Sequence, residues 1–116
     1  MRTIRERLND LLIQVKDIEE FTQGGRDFFL RDRKTQNAVA RCYEIIGEIV
    51  KQLPDELLSK HPEIAWQDIM RFRDFLIHSY HRVEYDFLWA AVEDLPFLRE
   101  AILALHRDVD EGLNDQ

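Results

Sequence analysis

The sequence has little of several residue types, and each scarcity limits the possible folds. It contains one cysteine, three prolines and four glycines in 116 residues. The single cysteine, Cys42, cannot form an internal disulfide, and its apolar neighbours predict a small buried thiol rather than a reactive one. Few glycines and prolines, beside 45% hydrophobic and 34% charged residues, argue against disorder and against a sandwich of short strands. The composition therefore predicts an all-α protein with one domain over residues 1–116.

Long apolar runs are also missing. The N-terminal stretch MRTIRERLND is rich in charge and lacks the apolar segment of a signal peptide. No stretch approaches the roughly 18 apolar residues that a membrane span needs. We therefore expect a cytoplasmic protein without a membrane partner.

Basic residues are outnumbered, with 16 Lys and Arg against 23 Asp and Glu and a formal net charge of −7. A general nucleic-acid binder needs a basic surface, so this balance argues against one. Residues 71–82, RFRDFLIHSYHR, are basic in contrast to the acidic whole, because they hold three arginines and two histidines against one aspartate. Charges act over about 8 Å at physiological salt, so a small phosphate site remains possible in this region.

Apolar residues at spacings of three and four predict a bundle of helices. The first helix runs from about residue 3 to about 22 and is followed by a short connecting segment, RDFFLRDRK. A central helix ends at Pro54. Gly47 lies inside this helix, where glycine costs about 1 kcal/mol against alanine, and it indicates the close approach of a neighbouring helix.

The second half of the chain continues this pattern. A third helix has an apolar face that consists of Ala65, Ile69, Phe72, Leu76 and Tyr80. Pro96 should kink or divide a fourth helix. A polar tail, EGLNDQ, closes the sequence.

The third helix carries an unusual group of polar residues. At about 100° per residue, Arg71, Asp74, His78 and Arg82 lie on one stripe, opposite the apolar line, so His78 is not expected in the core. Asp74 stands four residues before His78, a spacing at which a carboxylate can hydrogen-bond an imidazole and favour its protonated form. Ordinary surface ion pairs have the same spacing.

Arg73 lies on the flank of the apolar face and needs a partner. A structural partner is available in Glu44 or Glu48 on the central helix. A functional partner would be a phosphate, which the planar guanidinium binds in a fork. The pattern alone leaves both interpretations open.

Other functional sites find no support in the sequence. His61 and His106 are isolated, and no His, Cys and carboxylate cluster has metal spacing. There is no glycine-rich phosphate loop and no GxSxG motif. Trp66 and Trp89 are expected in the core or at an interface, and we expect no cofactor.

Arg73, His78 and Tyr80 form the pattern R-x4-H-x-Y, which resembles the signature of the HepT-like toxins of the HEPN superfamily. Residues 37–54, NAVARCYEIIGEIVKQLP, resemble the second-helix signature of that family. The order of a tryptophan, the motif and a following DLPFL segment also matches. The resemblance covers nearly the whole chain.

This resemblance implies a HEPN-like up-and-down bundle of four to five helices that forms a homodimer, with motif helices of both protomers lining one cleft. It implies a metal-independent endoribonuclease that acts as the toxin of a HEPN/MNT toxin-antitoxin pair. Arg73 and His78 match the catalytic pair. Asp74 fills a position that is polar in the family, and Tyr80 matches the tyrosine to which a nucleotidyltransferase antitoxin transfers AMP. On the residues alone, the alternative is a core tyrosine with its hydroxyl at the surface.

Two alternatives stay open at this point. The superfamily accepts four to six residues between arginine and histidine, so Arg71 also qualifies, and it shares the stripe of His78 whereas Arg73 is about 140° away. The second alternative is a non-catalytic helical subunit that binds a nucleotide or a nucleotidyltransferase, which the acidic net charge favours slightly. For a ribonuclease the chemistry is simple, because RNA supplies its own 2′-hydroxyl nucleophile and needs only proton transfer and a cation.

Overall fold

The structure is a computed structural model that describes residues 1–114. Within this part of the chain there are seven α-helices, one 3₁₀ turn and no strand. The helices are α1 Ile4–Phe21, α2 Gly25–Arg31, α3 Arg33–Lys51, α4 Asp55–Leu58, α5 Trp66–His78, α6 Tyr85–Glu93 and α7 Leu95–Asn114, and the 3₁₀ turn is Tyr80–Arg82. Five helices have nine residues or more, which confirms the all-α bundle. The last two residues of the predicted domain lie outside the described part.

Helix α1 follows the sequence pattern closely. Thr3 caps its N-terminus by accepting a hydrogen bond from the backbone of Glu6, while the Glu6 side chain accepts one from the backbone of Thr3. This reciprocal arrangement satisfies two N–H groups that the helix leaves without partners. The buried stripe consists of Leu8, Leu11, Val15 and Ile18. The predicted limits, about residues 3 and 22, are confirmed.

The segment expected to connect the first two helices is itself a helix, α2. Gly25 has a φ of +86°, a conformation that favours glycine, and it turns the chain from α1 into α2. Phe29 on α2 is completely buried and packs on Trp89, with ring centroids 5.3 Å apart. Seven residues are too few for a periodic pattern to identify a helix, which is why the sequence pattern did not reveal it.

Helix α3 is the centre of the bundle, as predicted. It packs against α1 on one side and against α5 on the other, and α1 also contacts α7. Asp32 caps its N-terminus by accepting a hydrogen bond from the Thr35 backbone at 3.1 Å. Gly47 allows α5 to approach closely, because a methyl group there would lie 3.2 Å from the backbone oxygen of Ile69. The predicted reason for this glycine is confirmed.

The second half of the chain differs from the prediction at two points and agrees at a third. Helix α5 ends at His78, so Tyr80 does not belong to its apolar face but to the 3₁₀ turn that follows. The tail predicted from Glu111 is helical as far as Asn114. The chain does divide near Pro96, since α6 ends at Glu93 and α7 begins at Leu95.

Several single-residue predictions are confirmed by burial. Trp66 is buried, and its indole N–H donates to the carbonyl oxygens of Leu58 and His61. Cys42 is a free, buried thiol, and burial raises its pKa to about 11. Each helix in residues 1–114 is too short or too polar to cross a bilayer.

Candidate active site

The polar motif spans the end of α5 and the turn that follows. Ser79 leaves the helical conformation, with φ −127° and ψ 37°, while its N–H still donates to the Phe75 oxygen at 2.8 Å. The N–H of Arg82 then donates to the Ser79 oxygen at 2.8 Å and closes the 3₁₀ turn. Arg73 and His78 therefore stand on the helix, whereas Tyr80 stands on the turn.

The side chain of Arg73, which belongs to α5, lies against α3. Its side chain is only 24% exposed, and its Nη2 lies 3.0 Å from Oε2 of Glu48 on α3. Its Nη1 donates to Oδ1 of Asp74 at 2.8 Å. The hydrogen bond with Asp74 and the nearby charges of Glu48 and Glu44 raise the pKa of Arg73. Of the two structural partners considered, Glu48 makes the ion pair.

The spacing predicted a hydrogen bond between Asp74 and His78. In the structure, Asp74 binds Arg73 instead. The hydrogen bond from Arg73 is the main reason that the pKa of Asp74 is lowered, and the charges of Arg73, Lys51 and His78 act in the same direction. No hydrogen bond joins Asp74 to His78 within residues 1–114. Helix periodicity cannot foresee this result, because the position of Glu48 on another helix directs the Arg73 side chain.

His78 is exposed at the C-terminal end of α5, which confirms that it is not a core histidine. In the described part of the chain its imidazole makes no hydrogen bond or ion pair with Arg71 or Arg73. The structure thus places Arg73 and His78 on one short helical segment without direct contact.

Arg71 points in a different direction from Arg73. Its Nη1 donates to Oδ1 of Asp68 at 3.0 Å, and both side chains of this pair are largely exposed. Arg71 lines an apolar groove, whereas Arg73 lies against α3. The structure therefore separates the two candidate arginines to different faces of α5.

Tyr80 is 78% exposed, so the interpretation of this residue as a core tyrosine is wrong. Its ring contacts His81 edge to face, with centroids 5.6 Å apart. The side chain belongs to the 3₁₀ turn that follows the end of α5. The phenol is consequently exposed to solvent.

A large apolar groove lies beside the motif helix, and the sequence pattern gave no clear indication of it. It has a volume of about 1010 Å³ and lies between α5, the segment 82–84, α6 and the start of α7. Phe87 and Phe97 line it and are 68% and 70% exposed. The available signal was the number of apolar residues in α6 and at the start of α7, which is larger than one buried stripe needs. Tyr43 contributes to the lining, and its buried hydroxyl has no hydrogen-bond partner in residues 1–114.

His61 and His106 are not as isolated as the sequence suggested. Nε2 of His61 lies 2.6 Å from Oδ2 of Asp108, and Nδ1 lies 3.3 Å from Oε1 of Glu63. His106 lies 2.7 Å from Oδ1 of Asn9. The contacts with Asp108 and Asn9 join distant parts of the chain. Among the residues that the structure describes, no three His, Cys, Asp or Glu side chains are placed to hold a metal ion together.

Comparisons with known proteins give a consistent result. A family model described as ribonuclease HepT-like matches residues 11–105. A candidate RNase of Methanocaldococcus jannaschii is 44% identical over 92 residues, which are 78% of this chain and 76% of that protein. A candidate ribonuclease HepT of Thermococcus cleftensis is 44% identical over 100 residues, or 84% of this chain and 91% of that protein.

Another candidate RNase of Methanocaldococcus jannaschii is 32% identical over 112 residues, which are 95% of this chain and 97% of that protein. No solved structure matches the chain significantly. The family model covers most of the chain, including both the central helix and the R-x4-H-x-Y motif. The chain therefore belongs to the HepT-like ribonuclease family.

Proposed function

We propose that the protein is a metal-independent endoribonuclease and the toxin of a toxin-antitoxin pair. The observation that carries this proposal is the arrangement on α5, where a fixed arginine, Arg73, and an exposed histidine, His78, lie on the same short segment. Membership of the HepT-like family and the names of its relatives support RNA as the substrate. We propose that the protein acts on RNA in the cytoplasm.

In the proposed reaction the 2′-hydroxyl of RNA attacks the adjacent phosphorus, and the bond from phosphorus to the 5′-oxygen breaks. The 2′-hydroxyl proton passes to a base, and the leaving 5′-oxygen receives a proton. The products are a 2′,3′-cyclic phosphate and a 5′-hydroxyl. His78 accepts the 2′-hydroxyl proton and returns it to the leaving 5′-oxygen, because imidazole nitrogens can both accept and donate a proton. Arg73 stabilises the negative charge of the phosphorane, and Arg71 is the second candidate for that role.

We propose that two copies associate through the apolar groove. Phe75, Phe87 and Phe97 leave apolar surface exposed there, and exposed aromatic patches of this kind mark contact surfaces. A second copy related by a twofold axis presents the same surface, so one contact covers both grooves. Because α5 forms a wall of the groove, this pairing brings the motif helices of the two protomers close to each other.

The proposed antitoxin is a nucleotidyltransferase of the MNT type that modifies Tyr80. The phenol oxygen attacks the α-phosphorus of ATP, the phenol loses its proton, and pyrophosphate leaves. The exposure of Tyr80 supports this role, since the acceptor must enter the active site of another enzyme. The attached AMP would place a phosphate and a base two residues from His78, where RNA must bind.

A second candidate function is a non-catalytic subunit that binds a nucleotide or a nucleotidyltransferase. Two observations favour it, namely the net charge of −7 and the internal pairing of Arg73 with Glu48 and Asp74. In that function the arginine has a structural role. One cleavage experiment distinguishes this function from the ribonuclease.

That experiment is the incubation of purified protein with end-labelled RNA in the presence of EDTA, followed by analysis of the product ends. The proposed function predicts cleavage that EDTA does not prevent, with a 2′,3′-cyclic phosphate on one fragment and a 5′-hydroxyl on the other. RNA with 2′-O-methyl groups throughout is the control, and it should remain intact because its nucleophile is blocked. If the folded protein leaves the unmodified RNA uncleaved, the result would favour the non-catalytic subunit.

A further inference from the structure

Arg73 lies between two carboxylates that are held in different ways. Glu48 on α3 pairs with Nη2 at 3.0 Å, and Asp74 on α5 accepts a hydrogen bond from Nη1 at 2.8 Å. The other oxygen of Glu48 accepts a hydrogen bond from Nε2 of Gln52 at 2.9 Å. Gln52 in turn accepts one from Arg7 on α1. Glu48 is therefore held in place by a series of hydrogen bonds that extends from α3 to α1.

Asp74 has no comparable support. Its hydrogen bond with Arg73 is the only side-chain hydrogen bond that it makes within residues 1–114, and more than half of its side chain is exposed. Residues adjacent in a helix do not face each other, so the helix geometry by itself does not hold this pair together. Exposed ion pairs of this kind are weak. Of the two carboxylates, Asp74 is the one that a competing anion can displace.

The stem of Arg73 is also fixed. Its Cβ and Cγ pack against Gly47, where a methyl group would lie 2.3 Å and 2.9 Å from them. With the stem against Gly47 and Nη2 paired with Glu48, Nη1 is the donor that binds the more exposed carboxylate, that of Asp74. An RNA phosphate carries the same single charge as Asp74 and accepts the same hydrogen bond.

We propose that Glu48 is a positioning residue that holds Arg73 in its working orientation, and that Asp74 occupies the phosphate position until RNA displaces it. This inference rests on the proposed ribonuclease function. Glu48 then acts on the rate of the chemical step, because a misplaced cation stabilises the phosphorane poorly. Asp74 acts on substrate binding, because RNA must break its hydrogen bond with Arg73.

The test is a comparison of kcat and KM for Glu48→Gln and Asp74→Asn, with Glu44→Gln as the matched control. Glu44 lies one turn before Glu48 on α3 and acts on Arg73 through its charge without a hydrogen bond. Glu48→Gln removes the negative charge that pairs with Nη2 and should lower kcat by about tenfold to a hundredfold, the range of a hydrogen bond between charged groups. Asp74→Asn should lower KM by about two- to fivefold. Glu44→Gln should change KM by less than Asp74→Asn does.

Binding of RNA in the His78→Ala background, measured by fluorescence anisotropy, provides a readout without turnover. Addition of Asp74→Asn to that background should lower Kd by the same factor as it lowers KM. Wild-type kcat in Glu48→Gln, or equal effects of Asp74→Asn and Glu44→Gln on Kd, would overturn the inference while leaving the proposed function intact. If the wild-type protein binds RNA but does not cleave it, the proposed function fails and the Kd series still tests the displacement of Asp74.

Discussion

Gly47 and Arg73 contact each other across the interface between α3 and α5, so closely that a methyl group on Gly47 would lie 2.3 Å from the Arg73 Cβ. The two residues belong to two separate motifs of the sequence, the second-helix pattern and R-x4-H-x-Y. The contact joins these motifs into one structural unit. The packing of the bundle itself thus fixes the position of the candidate catalytic arginine.

Gly47→Ala should destabilise the protein by about 1–3 kcal/mol, although alanine is the better helix former, because the new methyl group overpacks the interface. Both neighbouring atoms lie near the backbone of α5, so the helix itself must shift. Gly112→Ala is the control, since a methyl group there would have no neighbouring atom within 4 Å and alanine should slightly stabilise α7. Urea unfolding measures both changes. Equal stability of the two variants would contradict the described packing.

Phe87→Glu should convert the proposed dimer into a monomer, because it places a charge in the apolar groove. Phe28→Glu on α2 is the matched control, since Phe28 is also exposed but lies outside the groove. Light scattering at micromolar concentration measures the mass of each. A wild-type protein that is already monomeric would refute the dimer, and a dimeric Phe87→Glu variant would refute this interface.

The protein should lose stability at alkaline pH because of buried acidic groups in α3. Burial raises the pKa of Cys42 to about 11, with a contribution from Asp17, whereas an unfolded thiol has a pKa of about 8.5. Between these values the unfolded chain releases a proton that the folded chain keeps, so the free energy of unfolding falls as pH rises. Burial also raises the pKa of Tyr43, which extends the loss to higher pH.

Urea unfolding at several pH values from about 8 to about 11 measures this loss, and Cys42→Ala isolates the contribution of the thiol. The variant should show a shallower fall of stability between about pH 8.5 and 11, whatever its stability at neutral pH. Identical slopes for the variant and the wild type would show that the thiol does not keep its proton in the folded state.

Co-expression with a partner nucleotidyltransferase should yield protein carrying AMP on Tyr80. Intact-mass and peptide mass spectrometry locate the adduct. Tyr80→Phe should abolish it, while Tyr85→Phe, which alters another exposed tyrosine five residues later, should retain it. An adduct that persists in Tyr80→Phe would assign the acceptor to another residue.

The sequence predicted those parts of the fold that depend on long apolar stripes or on strong local signals. The limits of α1, the central position of α3, the division at Pro96 and the reason for Gly47 are all confirmed. In each case the information lies within one helix or at one breaking residue. The family membership followed from two such local motifs.

The parts that sequence could not predict depend on tertiary contacts or on weak stop signals. No glycine or proline lies between Trp66 and Arg82, so nothing in the pattern marks the end of α5 at His78 or the exposure of Tyr80. The pairing of Arg73 with Glu48 and Asp74 depends on the approach of α3. The contact between His61 and Asp108 joins residues 47 positions apart. The groove exists only once α5, α6 and α7 have packed.

The most direct test of the central claim is the rate of RNA cleavage by His78→Ala and Arg73→Ala, with His106→Ala as the control histidine on α7. His78 is exposed, so its replacement should leave the far-ultraviolet circular dichroism and the urea midpoint close to those of the wild type. His78→Ala and Arg73→Ala should each lose at least about a hundredfold in cleavage rate, the usual contribution of a proton-transfer or charge-stabilising group. His106→Ala should cleave RNA at nearly the wild-type rate. Cleavage by folded His78→Ala at the wild-type rate would contradict the catalytic role proposed for this histidine.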